Sequence, residues 1–109
     1  MGIKPRAQIR WDLLKRSGTG ASRHDSPGGF YPIYINPSNS RIEKIGSPLP
    51  EGVSIPQQID ELFCLLPIRD NGTEGRWQWT TETLAERLQQ GRVRIGGNSK
   101  RGYTVYILK

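Results

Sequence analysis

The chain holds one cysteine, Cys64, and one histidine, His24, in 109 residues. A lone thiol cannot close an internal disulfide, and one thiol with one imidazole cannot build a zinc site of Cys and His ligands. Long apolar runs are also missing. The longest, residues 62–66 with Phe63 and Cys64 counted in, is far below the roughly 20 residues that a membrane-crossing helix needs. No charged-then-apolar leader opens the sequence. These absences predict a small soluble domain in the cytoplasm, with no membrane partner. Apolar residues make up only 34 %, enough for one modest core and therefore one domain. The last absence is local: residues 92–109 contain no Asp or Glu.

What is present is basic charge, unevenly placed. Lys and Arg number 16 against 10 acids, for a net charge of +6. Residues 1–25 carry +4, residues 26–91 carry −3, and residues 92–109 carry +5. Segregated positive charge attracts phosphate backbones through Coulomb attraction and counterion release. Eleven of the 16 cations are Arg, whose planar fork suits phosphates and guanine edges better than Lys does.

Residues 1–29 read as a lead-in. Residues 7–16 have helical spacing at Ile9 and Leu13, and 17–29 (SGTGASRHDSPGG) are small, polar or helix-breaking, which predicts a flexible loop. Residues 30–109 read as a single small α+β domain. FYPIYI at 30–35 has strand composition, Asn36-Pro-Ser-Asn-Ser40 is a turn, and 41–45 return to close a hairpin. Pro32 cannot donate to a ladder, which predicts an edge or bulged strand there. Residues 57–61 suggest one helical turn. The apolar run 62–68, the Asn71-Gly72 pair and residues 76–79 predict a second hairpin, because both turn residues accept positive φ. Thr80 or Thr81 is a good N-cap, Glu82 sits in the first turn, Leu84, Ala85 and Leu88 have helical spacing, and Gly91 is a good terminator. A helix over 81–90 follows. Residues 92–95 and 103–108 form a last hairpin around a glycine-rich tip. The predicted architecture is α+β: a small antiparallel β-hairpin sheet with one packed helix.

Catalytic constellations are thin. His24, Asp25 and Ser26 are neighbours in a breaker-rich stretch and cannot arrange themselves as nucleophile, base and orienter. Cys64 sits in an apolar run, where an inert buried thiol is the expected role. Acids show no metal-ligand spacing. Trp77 and Trp79 share one face of the expected strand, and Trp77 is expected in the core against Leu84 and Leu88. The nucleic-acid features are richer. Alternation sets Val93 and Ile95 on one strand face and Arg92 and Arg94 on the other, with Lys100 and Arg101 at the adjoining tip. Such a group can straddle a phosphate backbone; the plain alternative is a solvated hairpin face. Arg41 and Lys44, on the return strand of the first hairpin, complete the candidate DNA-binding set.

Residues 66–96, LPIRDNGTEGRWQWTTETLAERLQQGRVRIG, resemble a recurring segment of adenine-specific DNA methyltransferases of the type III restriction-modification kind. Pro67, Ile68, Asn71, Gly72, Gly75, Trp77, Thr81, Glu82, Thr83, Leu84, Gly91, Arg92 and Val93 sit where that pattern wants them. Residues 30–50, FYPIYINPSNSRIEKIGSPLP, are similar to the lead-in found in some of those enzymes. The family's DPPY-type motif and its glycine-rich S-adenosylmethionine motif do not occur in this sequence. The resemblance therefore implies a non-catalytic, target-recognition-like piece that contacts double-stranded DNA. S-adenosylmethionine and the catalytic domain would belong to the parent enzyme. A free-standing nucleic-acid-binding module and a structural insert that packs on its parent are the competing readings.

Overall fold

Ile33 and Ile35 are buried while Tyr34 and Asn36 between and beyond them are half-exposed, the period of a strand with one face on a core. In the computed structural model, which describes residues 10–16, 22–25, 27–98 and 100–108, this stretch is β2. The strands are β1 (Trp11–Leu13), β2 (Ile33–Asn36), β3 (Arg41–Ile45), β4 (Gln58–Ile59), β5 (Leu62–Leu65), β6 (Val93–Asn98) and β7 (Gly102–Leu108). The helix α1 spans Thr81–Gln89. One sheet runs β1-β7-β6 and the other β3-β2-β5-β4. All pairings are antiparallel. The α+β class read from the sequence is the one observed, with the strands divided between two sheets. No helix among the described residues is long and apolar enough to cross a membrane.

The inward faces of both sheets meet in one core. Tyr103, Val105 and Ile107 alternate along β7, and they meet Ile33, Ile35 and Phe63 of the other sheet. Phe63 and Tyr103 pack edge to face, with ring centroids 4.9 Å apart. α1 adds Leu84, which is fully buried. Its first turn is capped as the sequence indicates: the Thr80 hydroxyl accepts from the Thr83 amide at 3.3 Å. Gly91, at φ +74°, ends the helix in a conformation that an L side chain resists. The Glu82 carboxyl is held below the ordinary glutamate range by its own backbone N–H first, then by the Thr81 and Thr80 hydroxyls.

Five local expectations are corrected. Residues 11–13 form a strand, not part of a helix; residues 7–9 lie outside the described set. Trp11, Asp12 and Leu13 pair with Leu108, Ile107 and Tyr106, so the far end of the chain overrides a weak helical pattern. Of the loop expected over 17–29, residues 17–21 and 26 lie outside the described set, while Arg23–Asp25 and Pro27–Gly29 form two short 3-10 turns. β2 is an inner strand, flanked by β3 and β5. Pro32 falls one residue before it, and the bulge lies at Tyr34–Ile35. The helical turn expected near 57–61 is instead β4 and a tight turn, with Asp60 at φ +54°.

The fifth correction concerns the Asn-Gly turn. Gly72 has φ +85° as the turn requires, but the hairpin is reduced to one bridge, Ile68 with Glu74. β5 spends its hydrogen bonds on β2 and β4, so residues 76–79 do not return along it. They bond instead to the N-terminal segments. Trp77 N–H donates to Gly29 O, Gln78 N–H to Leu14 O, and Arg16 N–H to Arg76 O, at 2.8, 2.7 and 2.9 Å.

Candidate nucleic-acid interface

The β6–β7 hairpin carries four of the six candidate cations. Gly91 turns the chain out of α1, and the Arg92 amide donates to Arg87 O at 3.0 Å, which starts β6 close to the helix end. Val93 and Ile95 then pack against the core, and alternation leaves Arg92 and Arg94 exposed. The two lie on one strand face, about 7 Å apart along the chain. The Arg94 guanidinium stands 4.8 Å from the centroid of the Trp11 ring, a cation–π contact that steadies it without neutralising it.

At the tip, the Asn98 side-chain oxygen accepts from the Lys100 and Arg101 amides at 2.9 and 2.8 Å. This turn fixes the backbone from which both exposed side chains project. Gly97 is required there. Its φ is +88°, and a Cβ would fall 2.2 Å from the Gly102 carbonyl oxygen. Among the described residues, no carboxylate forms an ion pair with Arg92, Arg94, Lys100 or Arg101. The hairpin is a positive surface with no counter-charge of its own.

Arg41 and Lys44 lie elsewhere. They are exposed on β3, the edge of the other sheet. Lys44 stands 5.9 Å over the Tyr34 ring, and Glu43, bonded to Asn36 at 3.0 Å, introduces an acid between them. The structure therefore joins four candidates on one hairpin and leaves two on a separate strand.

His24 pairs with Glu51 at 3.2 Å, exposed on the surface. Cys64 is buried, and burial pushes its thiol up, a backbone hydrogen bond at Ile59 pulling slightly the other way; a neutral buried thiol is a poor nucleophile. Among the described residues no group of His, Cys, Asp and Glu could hold a metal ion. Trp77, 3 % exposed, is a core residue as expected. Trp79 is half-buried, with the Arg87 guanidinium 5.9 Å over its ring. The sequence reading missed Trp11 as a partner of Arg94, because the pairing of β1 with β7 joins residues far apart in the chain. The only local sign was the alternation in Trp11-Asp12-Leu13.

Comparison with known proteins gives two partial likenesses. The type II methyltransferase M.KpnI of Klebsiella pneumoniae is 31 % identical over 75 residues, covering 69 % of this chain and 15 % of that protein. The Mod subunit of the type III restriction-modification enzyme EcoPI, from Escherichia phage P1, is 34 % identical over 71 residues, covering 64 % of this chain and 10 % of the subunit. The chain thus spans a small fraction of the length of either relative. No family model matches it, and no solved structure does. It carries a methyltransferase-related segment.

Proposed function

We propose that this chain is the DNA-contacting, target-recognition or duplex-positioning piece of a site-specific adenine DNA methyltransferase of the cytoplasm. The observation that carries this reading is the β6–β7 hairpin, four exposed cations without a paired acid among the described residues, on a chain related over part of its length to a methyltransferase and to a Mod subunit. The division of labour is physically sensible. Modifying a base inside a duplex requires extruding it, which costs a few kcal/mol. A separate basic surface that grips the flanking backbone holds the duplex while another part holds the base.

In this reading S-adenosylmethionine and the transfer chemistry belong to catalytic sequence that accompanies this piece. The chain alone is then expected to give no saturable heat on calorimetric titration with S-adenosylmethionine. A one-to-one micromolar site would overturn that part of the reading.

The test of the interface is the quadruple variant Arg92→Ala, Arg94→Ala, Lys100→Ala, Arg101→Ala. None of the four side chains is buried, so the variant is expected to keep its fold and melting temperature. Each lost phosphate contact should weaken duplex binding on every sequence alike and lower the magnitude of the salt slope by about one. Arg41→Ala with Lys44→Ala should have the smaller effect, because those two stand apart from the hairpin. Anisotropy titrations of a mixed-sequence duplex at several salt concentrations measure both quantities. A folded quadruple variant with unchanged affinity and slope would sink the interface.

A further inference from the structure

The outward face of the β1-β7-β6 sheet mixes apolar side chains with one centrally placed cation. β7 turns Tyr103, Val105 and Ile107 to the core, so alternation sends Thr104, Tyr106 and Leu108 outward. The register sets Trp11 beside Leu108, and Leu13 and Arg94 on either side of Tyr106. Leu13 is 46 % exposed, and Trp11, Tyr106 and Leu108 are half-buried. Neighbouring strands lie about 4.8 Å apart, so β1 and β6 stand about 10 Å apart with β7 between them. The Arg94 guanidinium nonetheless lies 4.8 Å from the Trp11 ring centroid. Both side chains therefore reach toward each other over β7. The charge rests near the middle of the face, not at its edge.

The ring contact uses none of the five guanidinium N–H donors. Among the described residues no carboxylate pairs with them either. Arg92, Lys100 and Arg101 differ: no ring or carboxylate of the described residues holds their side chains. A fork that is fixed beforehand loses less freedom on binding than a free one. The ground around it is apolar, from Trp11, Leu13, Tyr106 and Leu108. A phosphate strand is poorly matched to such ground. Base edges suit it, the thymine methyl among them, and they offer acceptors to a central guanidinium.

The face also narrows toward the tip. β1 pairs with β7 only from Tyr106 to Leu108. Residues 96–98 and 102–104 therefore continue as a two-stranded ribbon, the width that the major groove admits. Its outward side is low. A Cβ on Gly96 would fall 2.7 Å from the Tyr106 ring, which lies across that glycine.

We propose that this face enters the major groove of duplex DNA with the Arg94 fork on the O6 and N7 acceptors of one guanine, and that Trp11 positions the fork. Arg92, Lys100 and Arg101 then serve the phosphates alongside. The proposal rests on the DNA-contacting reading above and adds which of its cations reads sequence.

The test begins with selection of duplexes by this chain from a pool with a randomised centre, which is expected to enrich guanine at one position. In the selected duplex, 7-deazaguanine at that position, which lacks the N7 acceptor, should lower affinity about tenfold. Arg94→Lys keeps the charge and should lose this discrimination with the salt slope unchanged, whereas Arg92→Lys should keep both. Trp11→Leu should flatten the preference at an unchanged slope, and Trp11→Phe, which restores a ring, should recover most of it. A merely structural indole would instead move melting temperature and affinity for every duplex together. Leu13→Asp, at an exposed position, should weaken binding to all duplexes by placing an anion on the face.

No enriched guanine, or one indifferent to 7-deazaguanine or to Arg94→Lys, overturns the proposal. A preference that survives Trp11→Leu overturns the positioning role. A folded Leu13→Asp chain with unchanged duplex affinity takes this face off the DNA and leaves it to a protein partner. If Arg94→Ala lowers the salt slope by about one and spares the base preference, Arg94 is a phosphate contact. Hairpin-dependent duplex affinity without a guanine preference fails this inference alone; hairpin substitutions without effect fail the reading it rests on.

Discussion

Trp77→Ala is expected to leave the chain largely unfolded at room temperature. The indole is 3 % exposed and sits in the one core shared by both sheets. It packs on Tyr31, with centroids 6.3 Å apart, and its ring N–H donates to Tyr31 O at 2.8 Å. Truncating a buried Trp costs roughly 3–5 kcal/mol through lost transfer energy and the cavity left behind. The orphaned Tyr31 carbonyl adds about 1–3 kcal/mol where water cannot reach it. Domains of this kind hold only about 5–15 kcal/mol in total. Tyr31 is drawn in as well. Its hydroxyl donates to Trp79 O at 2.7 Å, and burial, with Glu82 adding to it, pushes its phenol far above the ordinary range, so it stays a donor. Trp77→Phe keeps an aromatic ring and loses the N–H and part of the volume, and should fall between the two. Urea denaturation followed by far-ultraviolet circular dichroism measures the series. A Trp77→Ala chain with an unchanged midpoint would show that the indole contributes no packing.

The elements legible in the sequence are those whose signals are local. α1 announces itself through Thr80, Glu82, Leu84 and Gly91, all within one segment. The β6–β7 hairpin does so through alternation and a glycine-rich tip, and it places Arg92, Arg94, Lys100 and Arg101 together. What was illegible depends on partners distant in the chain. Three residues, Trp11–Leu13, become a strand only because β7 offers an edge. Residues 76–79 carry strand composition, yet the edge they would have joined is taken by β4 and β2. A groove of about 780 Å³ between the sheets is assembled from five separate stretches of chain, so no local signal announces it. Arg41 and Lys44 read as equals of the hairpin cations because sequence position does not reveal that β3 and β6 belong to different sheets.

Arg23 is the sharpest case of a residue whose role the sequence conceals, and Arg23→Ala is expected to cost about 3 kcal/mol. It stands in a stretch of small and breaker residues, yet its side chain is only 4 % exposed. One terminal nitrogen donates to a Glu74 carboxylate oxygen at 2.7 Å. The other donates to the carbonyls of Pro50 and Val53 at 2.5 and 2.7 Å, with Leu49 O at 3.4 Å. The guanidinium carbon lies 3.8 Å from the Phe30 ring centroid. Removing one partner of a buried pair costs roughly 3–5 kcal/mol because the other is stranded. Here Glu74 is 47 % exposed and regains water, so the loss falls at the lower end and comes mainly from the unpaired carbonyls and the emptied space. Glu74→Gln should accordingly cost less than Arg23→Ala. Arg23→Lys should recover little, since a point charge cannot reach several acceptors at once as the planar fork does. High salt should leave the differences standing, because a buried pair is weakly screened. Denaturant midpoints for the three variants decide it, and an order with Glu74→Gln the most damaging would mean that charge, not the carbonyl clamp, holds the site. The clamp also bears on the groove between the sheets. It fixes residues 49–53, immediately before Ser54 and Ile55 in the groove wall, so its loss should loosen that wall while the β6–β7 hairpin stays intact.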